Sequence, residues 1–264
     1  MTNPEIPLLN AGIITESLNS GKIGRKIIVY NSTSSTNELA RQYAKDKNND
    51  GLVIFAEEQT AGKGRFSNKW YSKRSDSILC SFLLIESALA GEAVSMACAV
   101  AVAQTIGKIG RNQAKIKWPN DIIINGRKIA GILIESERNK NANLFIIGIG
   151  INCHQKPDSF PAELRSSATS IDIENNSTTD RNLLARRLLA YVDYWLDAAR
   201  TKPQKLTRQW QKLSTATGRR LTLVFNGRQF TGSCIGIDPE KGLILQLETG
   251  GIRFFDAAHS SIAK

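Results

Sequence analysis

The chain has 264 residues, 41% of them hydrophobic and 22% charged, a balance that supports a packed core and excludes global disorder. Lys and Arg total 35 against 24 Asp and Glu, and the net charge of +11 points to an anionic partner such as a nucleotide phosphate or an acidic protein. The basic residues are dispersed, without the run of five or more that marks a nucleic-acid-binding tail, so DNA ranks below both.

Taken in chain order, residues 26–30 read as a strand and residues 36–45 as a helix with Leu39, Ala40, Tyr43 and Ala44 on one face. Residues 52–57 form a short strand. Residues 58–74 contain almost no aliphatic side chain and read as a long loop, a length usually tied to function or disorder. A strand over 77–85 and an Ala- and Val-rich helix over 91–108 follow. Three strand-like runs come next, 115–125 (broken at Pro119), 128–138 and 144–152, and then a strongly periodic helix over 181–199. Near Gly218 the character changes to short strands at 221–225, 229–237, 243–247 and 252–255, with turns at Asn226-Gly227 and at residues 240–242. The pattern reads as a larger α/β-type unit over residues 1–216 followed by a small all-β unit over 217–264.

Cys80, Cys98, Cys153 and Cys234 are far apart with no C-x-x-C, which argues against a disulfide framework or a zinc cluster. The first ten residues lack the pattern of a signal peptide, and the longest apolar run, residues 96–103, is too short to span a bilayer. A cytoplasmic location and no membrane partner are expected.

Five short motifs could carry chemistry, and each has an ordinary structural alternative. Gly62-Lys63-Gly64-Arg65 combines close backbone approach with positive charge and suits a phosphate, or is a basic surface loop; it matches neither a P-loop nor a dinucleotide fingerprint. Lys117-Trp118-Pro119-Asn120-Asp121 could meet a base or a magnesium ion, or is a turn, with Trp118 better suited to the core. Lys128-Ile129-Ala130-Gly131 could aim an ammonium into a site, or is a solvated strand end. Ser34-Ser35-Thr36-Asn37 offers hydroxyls and an amide to a ligand, or caps the helix that follows. Gly148-Ile149-Gly150-Ile151-Asn152 invites close ligand approach, or is a bulged core strand. Only two histidines occur and no G-x-S-x-G elbow, which disfavours a Ser-His-Asp hydrolase.

In order and spacing together, Ser35-Thr36-Asn37, Gln59, Gly62 to Arg65, Lys117 to Asp121, Lys128 to Gly131 and Gly148 to Asn152 resemble the biotin protein ligases, from about Lys22 to the C-terminus. The resemblance implies activation of biotin with ATP and Mg2+ to biotinyl-5′-AMP, then transfer to one lysine of a biotin carboxyl carrier domain of a carboxylase. It implies the α+β class, with a catalytic domain similar to class II aminoacyl-tRNA synthetases, a mixed sheet backed by helices, followed by an SH3-like β-barrel; a homodimer is a possible assembly. By matching position, Ser35, Thr36 and Gln59 are expected at the biotin ureido ring, with Asn37 beside them. Gly62, Lys63, Gly64 and Arg65 should form the loop over biotin and the phosphates. Lys128 should meet the reacting carboxylate and α-phosphate, with Asn120 and Asn152 at the adenine; Trp118 and Gly131 join the ligand-binding set by the same matching. Asp121 should lie near the metal or the attacking lysine; the metal ligands stay unassigned. Lys128, Arg65 and Asp121 are the expected catalytic set.

Where such enzymes often carry G-R-G-R-R-G, this chain has Lys63, Phe66 and Ser67, so Lys63 lacks the bidentate fork of arginine and a glycine hinge is gone. Only some 20 to 25 residues precede the first matching strand, about half of what a helix-turn-helix needs, so specific DNA binding is not expected. The rivals are a lipoate or octanoate ligase, whose Gly triplet followed by histidine is missing, and a nucleic-acid-binding module, which would cluster basic and aromatic residues.

Overall fold

The computed structural model describes residues 6–86, 88–110, 112–138 and 142–263. Seven strands form its larger sheet: β1 (Ile27–Tyr30), β2 (Val53–Ala56), β3 (Ser77–Glu86), β4 (Lys115–Lys117), β5 (Asp121–Ile124), β6 (Arg127–Arg138) and β7 (Asn143–Asn152). Their order is β1-β2-β3-β7-β6-β5-β4, with β1 and β2 parallel and every other pair antiparallel, so the sheet is mixed as expected.

Both faces of this sheet are covered, which is why β2 and β3 read as unbroken apolar runs rather than as alternating ones. Val53, Phe55, Cys80 and Phe82 point into the main core, and Ile54 and Leu83 into a smaller cluster under α2 (Thr36–Tyr43) with Ala40 and Ile146. On the main-core side lie α3 (Gly91–Ile109), α5 (Arg181–Thr201) and α6 (Pro203–Leu213). The helix α3 is apolar nearly all round because it is enclosed by α5, α6 and the sheet. It is long and apolar enough to cross a membrane, yet 72% of that stretch is buried inside the molecule. The four cysteines are buried and free, and burial pushes the thiols of Cys80, Cys98 and Cys153 up to about 12, so they act as small hydrophobes.

Strands β8 (Arg220–Phe225), β9 (Arg228–Asp238), β10 (Gly242–Leu247), β11 (Ile252–Phe255) and β12 (Ser260–Ile262) form a second, fully antiparallel sheet in the order β11-β10-β9-β8-β12. The Asn226-Gly227 turn closes β8 and β9 with both residues at positive φ, as the dipeptide requires.

Several elements depart from the sequence expectation. The break expected at Pro119 within residues 115–125 is the turn of a β4–β5 hairpin at residues 118–120, with a cis Trp118–Pro119 bond. Asn125-Gly126 closes the next hairpin by the same positive-φ geometry as Asn226-Gly227. The helix α6 has no counterpart in the sequence expectation, although Leu206, Trp210 and Leu213 are buried at the helical spacing i, i+4, i+7; Pro203 starts it. The short β12 pairs with β8 and was not anticipated. The loop over 58–74 is folded on itself: Gly64 N donates to Asn68 O, Trp70 N to Gly62 O and Ser75 N to Glu57 O.

The root of that loop is a buried ion pair. Arg181, at the start of α5, donates to Glu57 at 2.7 Å with both side chains 1% exposed. Glu57 also accepts from Leu9 N and Ser75 Oγ, and Arg181 also donates to Pro7 O and Ser77 O. Burial alone would push the Glu57 carboxyl up; Arg181, Leu9 and Ser75 outweigh it and hold it below its ordinary value. Removing one partner leaves a buried charge uncompensated, so Glu57→Ala is expected to cost about 3–5 kcal/mol in urea denaturation. Because the folded carboxyl is depressed, its stabilisation is full above the unfolded value of roughly 4.3 and is lost as pH falls through the folded value. Glu57→Gln should therefore flatten the acid limb of the stability profile; an unchanged limb would show that the pair does not govern acid unfolding.

Candidate active site

The site begins with glycines on one face of neighbouring strands. In the β6–β7 register Gly131 stands opposite Gly150, and Leu133 opposite Gly148. A Cβ on Gly150 would lie 2.6 Å from the Trp70 ring, one on Gly131 3.0 Å from the same ring, and one on Gly148 2.4 Å from Asn37 Oδ1. The glycines thus form a floor without side chains, on which an indole and an amide rest. A cavity of about 480 Å³ over this floor is lined by Ser35, Thr36, Asn37, Gln59, Lys63, Gly64, Arg65, Trp70, Trp118, Asn120, Asp121, Lys128 and Gly131. A larger cavity of about 1040 Å³ shares the Gln59–Trp70 wall and extends to Glu92 and Ala257.

One end of the floor is polar and sits at the N-terminus of α2. Ser35 occupies the N-cap position without making the side-chain cap that its residue type suggests. Gln59 supplies the cap from the loop instead: its Oε1 accepts from Thr36 N at 2.7 Å and from Thr36 Oγ1 at 3.0 Å. Asn37 Nδ2 donates to Glu135 at 2.7 Å, and the fully buried Ser81 hydroxyl lies 2.6 Å from Asn37 Oδ1 and 2.7 Å from Thr36 Oγ1.

The other end is cationic. Simple alternation along β6 would place Lys128 and Gly131 on opposite faces, three residues apart. A bulge decides otherwise: Ile122 pairs with Ala130 and Ile123 with Lys128, so Ile129 is extra and Lys128 returns to the face of Gly131 and Asp121. A Cβ on Gly131 would meet Lys128 Nζ at 3.2 Å. The ammonium pairs with Asp121 at 2.5 Å and lies 5.7 Å from the centre of the Trp70 ring. Its backbone is fixed by the 164–169 segment, Lys128 N donating to Ser167 O and Thr169 N to Lys128 O.

Between the ends runs the Gly62–Trp70 segment. Gly62 is obligatory, since a Cβ there would meet Trp70 O at 2.8 Å. Lys63 pairs with Glu38 of α2 at 2.6 Å, and this contact with the Ser34 hydroxyl lowers the Glu38 pKa. Arg65 was expected at the phosphates; in this structure its Nη2 donates to the carbonyls of Ala257, Ala258 and Ser260 and so ties the loop to the second sheet. Beside it, burial pushes the Glu92 carboxyl up to about 7. Trp70 did not stand out in the sequence; the only signal was a large aromatic in a polar segment. Its Nε1 is buried and has no partner.

Trp118 reaches the cavity but is 3% exposed, donates to Ser260 Oγ and meets Trp210 edge-on at 6.1 Å, which makes it a core residue. Asn120 Nδ2 donates to Ile132 O and pins the turn to β6. Asn152 is not among the residues that line either cavity: it is buried, with Nδ2 on Thr169 O and Oδ1 accepting from Gln155. No group of three or more metal-ligating side chains occurs among the described residues.

Comparison with known proteins identifies the family. A sequence model of the biotin/lipoate A/B protein ligase family matches residues 29–152. The bifunctional ligase/repressor BirA of Bacillus subtilis is 32% identical over 94% of this chain and 78% of its own length. The biotin–[acetyl-CoA-carboxylase] ligase of Mycobacterium tuberculosis is 28% identical over 91% of each chain. The fold is shared with the biotin protein ligase from Aquifex aeolicus in complex with biotin and ATP, at a TM-score of 0.78 and 23% identity over 91% of this chain and 99% of that one. With a relative this similar along nearly the whole chain, and with the motifs it shares with such enzymes gathered over one glycine floor, the chain belongs to the biotin protein ligases of the biotin/lipoate A/B protein ligase family.

Proposed function

We propose that the chain joins biotin to ATP as biotinyl-5′-AMP, releasing pyrophosphate, and then transfers biotin to a specific lysine of a biotin carboxyl carrier domain of a carboxylase. One observation carries the reading: a hydrogen-bonding end at Thr36 and Gln59 and a cationic end at Lys128 flank a side-chain-free floor under an indole. From Gly148, where Asn37 rests, to Gly150 is about 7 Å along the strand. Biotin has the matching shape, with a polar ureido ring, an apolar body and a carboxylate at the end of a short chain.

In the first step a biotin carboxylate oxygen attacks the α-phosphorus and the bond to pyrophosphate breaks. Lys128 stabilises the charge that builds on the phosphoryl oxygens, and its pairing with Asp121 holds the ammonium in place beforehand. In the second step the carrier amine attacks the mixed-anhydride carbonyl and AMP leaves; Asp121 is positioned to take the amine proton. Neither step needs an enzyme nucleophile, in keeping with a chain that has no triad motif. Arg65 would leave its carbonyl partners to meet the nucleotide phosphates. Magnesium would arrive with the nucleotide, since Asp121 is the one carboxylate over the floor and a magnesium–ATP complex needs few protein ligands. Residues 1–216 are read as a class II synthetase-like catalytic domain and 217–264 as an SH3-like barrel; the mixed and antiparallel strand orders support that division.

Three outcomes test this reading. Purified protein with magnesium, ATP and biotin should release pyrophosphate, and lipoate should give little product; equal activation of lipoate would overturn the substrate assignment. Lys128→Ala should lower single-turnover adenylation by about 10²–10³ while retaining part of the transfer from synthetic biotinyl-AMP. A wild-type adenylation rate in that variant would leave Lys128 as a strand-end residue only. Gly150→Ala places a methyl group against the Trp70 ring and should weaken biotin binding in calorimetry by about tenfold or more with little change in melting temperature.

A further inference from the structure

Lys128 stands at a weak point of the larger sheet. Its register with β5 is interrupted by the extra residue Ile129, and the β6–β7 ladder begins only at Ala130, opposite Ile151. Both of its backbone hydrogen-bonding groups are taken by the 164–169 segment instead. Lys128 N donates to Ser167 O at 2.7 Å and Thr169 N to Lys128 O at 2.9 Å, with Ala168 alongside in a parallel bridge. Beyond the short helical turn Ala162–Leu164 that segment is irregular, so the Lys128 backbone is only as well fixed as Thr169 is.

Glu174, in the short helix α4 (Ile171–Asn175), does the fixing, and its side chain is 4% exposed. Its Oε1 accepts from Thr169 Oγ1 at 2.6 Å and from Arg127 Nη2 at 2.7 Å, and its Oε2 accepts from Asn125 Nδ2 at 3.0 Å. Arg127 and Lys128 are neighbours on one strand, so their side chains leave on opposite faces: Lys128 toward the cavity, Arg127 behind it toward Glu174. One buried carboxylate thus holds β6 through Arg127, the turn that precedes β6 through Asn125, and the segment beside Lys128 through Thr169. It does so from outside the site, since Glu174 is not among the residues that line either cavity. Hydrogen bonds to an ionised group are the stronger kind, and Glu174 offers several to one spot. The lysine needs such support. Its ammonium rides on a flexible four-carbon stem, and electrostatic stabilisation of a transition state requires the charge to be in place beforehand.

We propose that Glu174 is a positioning residue for adenylation, holding the Lys128 backbone through Arg127 and Thr169 so that the ammonium is in place for the α-phosphoryl oxygens. This rests on the reading of Lys128 as the adenylating lysine. The test is a double-mutant cycle. Single-turnover adenylation is measured for wild type, Glu174→Ala, Glu174→Gln and Thr169→Val, each with Lys128 intact and each combined with Lys128→Ala. Thermal melts establish that each variant folds, and calorimetry gives its Kd for biotin. With Lys128 intact, Glu174→Ala should slow adenylation by about 10- to 50-fold and Thr169→Val by about 3- to 10-fold, with the Kd for biotin changing less than about threefold. Glu174→Gln keeps an oxygen for Arg127 and Thr169 and should stay within about threefold of wild type. Combined with Lys128→Ala, all three should change the remaining rate by less than about twofold, because no ammonium is left to position. A role as scaffold alone would slow both backgrounds alike, and that additive result overturns the proposal. So does a folded Glu174→Ala variant that adenylates at the wild-type rate. If Glu174→Ala does not fold, Thr169→Val decides by the same comparison. A wild type that does not adenylate biotin, or a Lys128→Ala variant with the wild-type rate, overturns the reading of the site and the proposal with it; an additive cycle in an active enzyme overturns the proposal alone.

Discussion

The antiparallel register that sets Gly131 opposite Gly150 is the constraint on which the site depends. Two glycines facing each other on central strands weaken a sheet, since neither contributes side-chain packing. Here the loss is offset by what the bare backbone admits: the Trp70 ring lies where Cβ atoms would stand, and Lys128 reaches over Gly131. Shifting the register by one residue would turn the floor over and place isoleucines under the indole. The length of the β3–β7–β6 ladder, with ten paired positions between β3 and β7, makes such a slip costly.

The segment that roofs the floor departs from β2 at Glu57 and is tied down at successive points. The Glu57–Arg181 pair fixes its root, Gln59 caps α2, Lys63 reaches Glu38 and Arg65 reaches the second sheet. A loop already folded by its own backbone bonds loses less conformational entropy when a ligand arrives. Its anchors differ in kind. The buried pair at the root is expensive to break, whereas the exposed Lys63–Glu38 pair contributes little. The outer part of the loop can therefore move while its base stays put, and the Arg65 carbonyl contacts couple that movement to the second sheet.

The electrostatics of the two ends follow from the same economy of groups. At the cationic end one ammonium and one carboxylate neutralise each other. At the polar end Gln59, Thr36 and Ser81 are neutral, and Glu135 meets them only through Asn37.

The sequence by itself determined the α+β class, most strands and long helices, the change of character near Gly218, and the motifs that mark the family. Those features are local: apolar periods, Asn-Gly turns and short-range spacing are written in neighbouring residues. Tertiary structure decided what those motifs do. A single extra residue at Ile129, invisible to alternation, puts Lys128 on the site face. Ser35 looks like a cap, but the cap on Thr36 comes from Gln59, a residue twenty-three positions further along the chain. Arg65 donates to carbonyls 192 to 195 residues distant, and Asn152 bonds Gln155 and Thr169. Trp70, Ser81 and Glu135 belong to no motif that spacing could single out, because what selects them is contact across strands. Hydrogen-bond partners and close approach depend on which chain segments meet in space, and a linear pattern carries no record of that meeting.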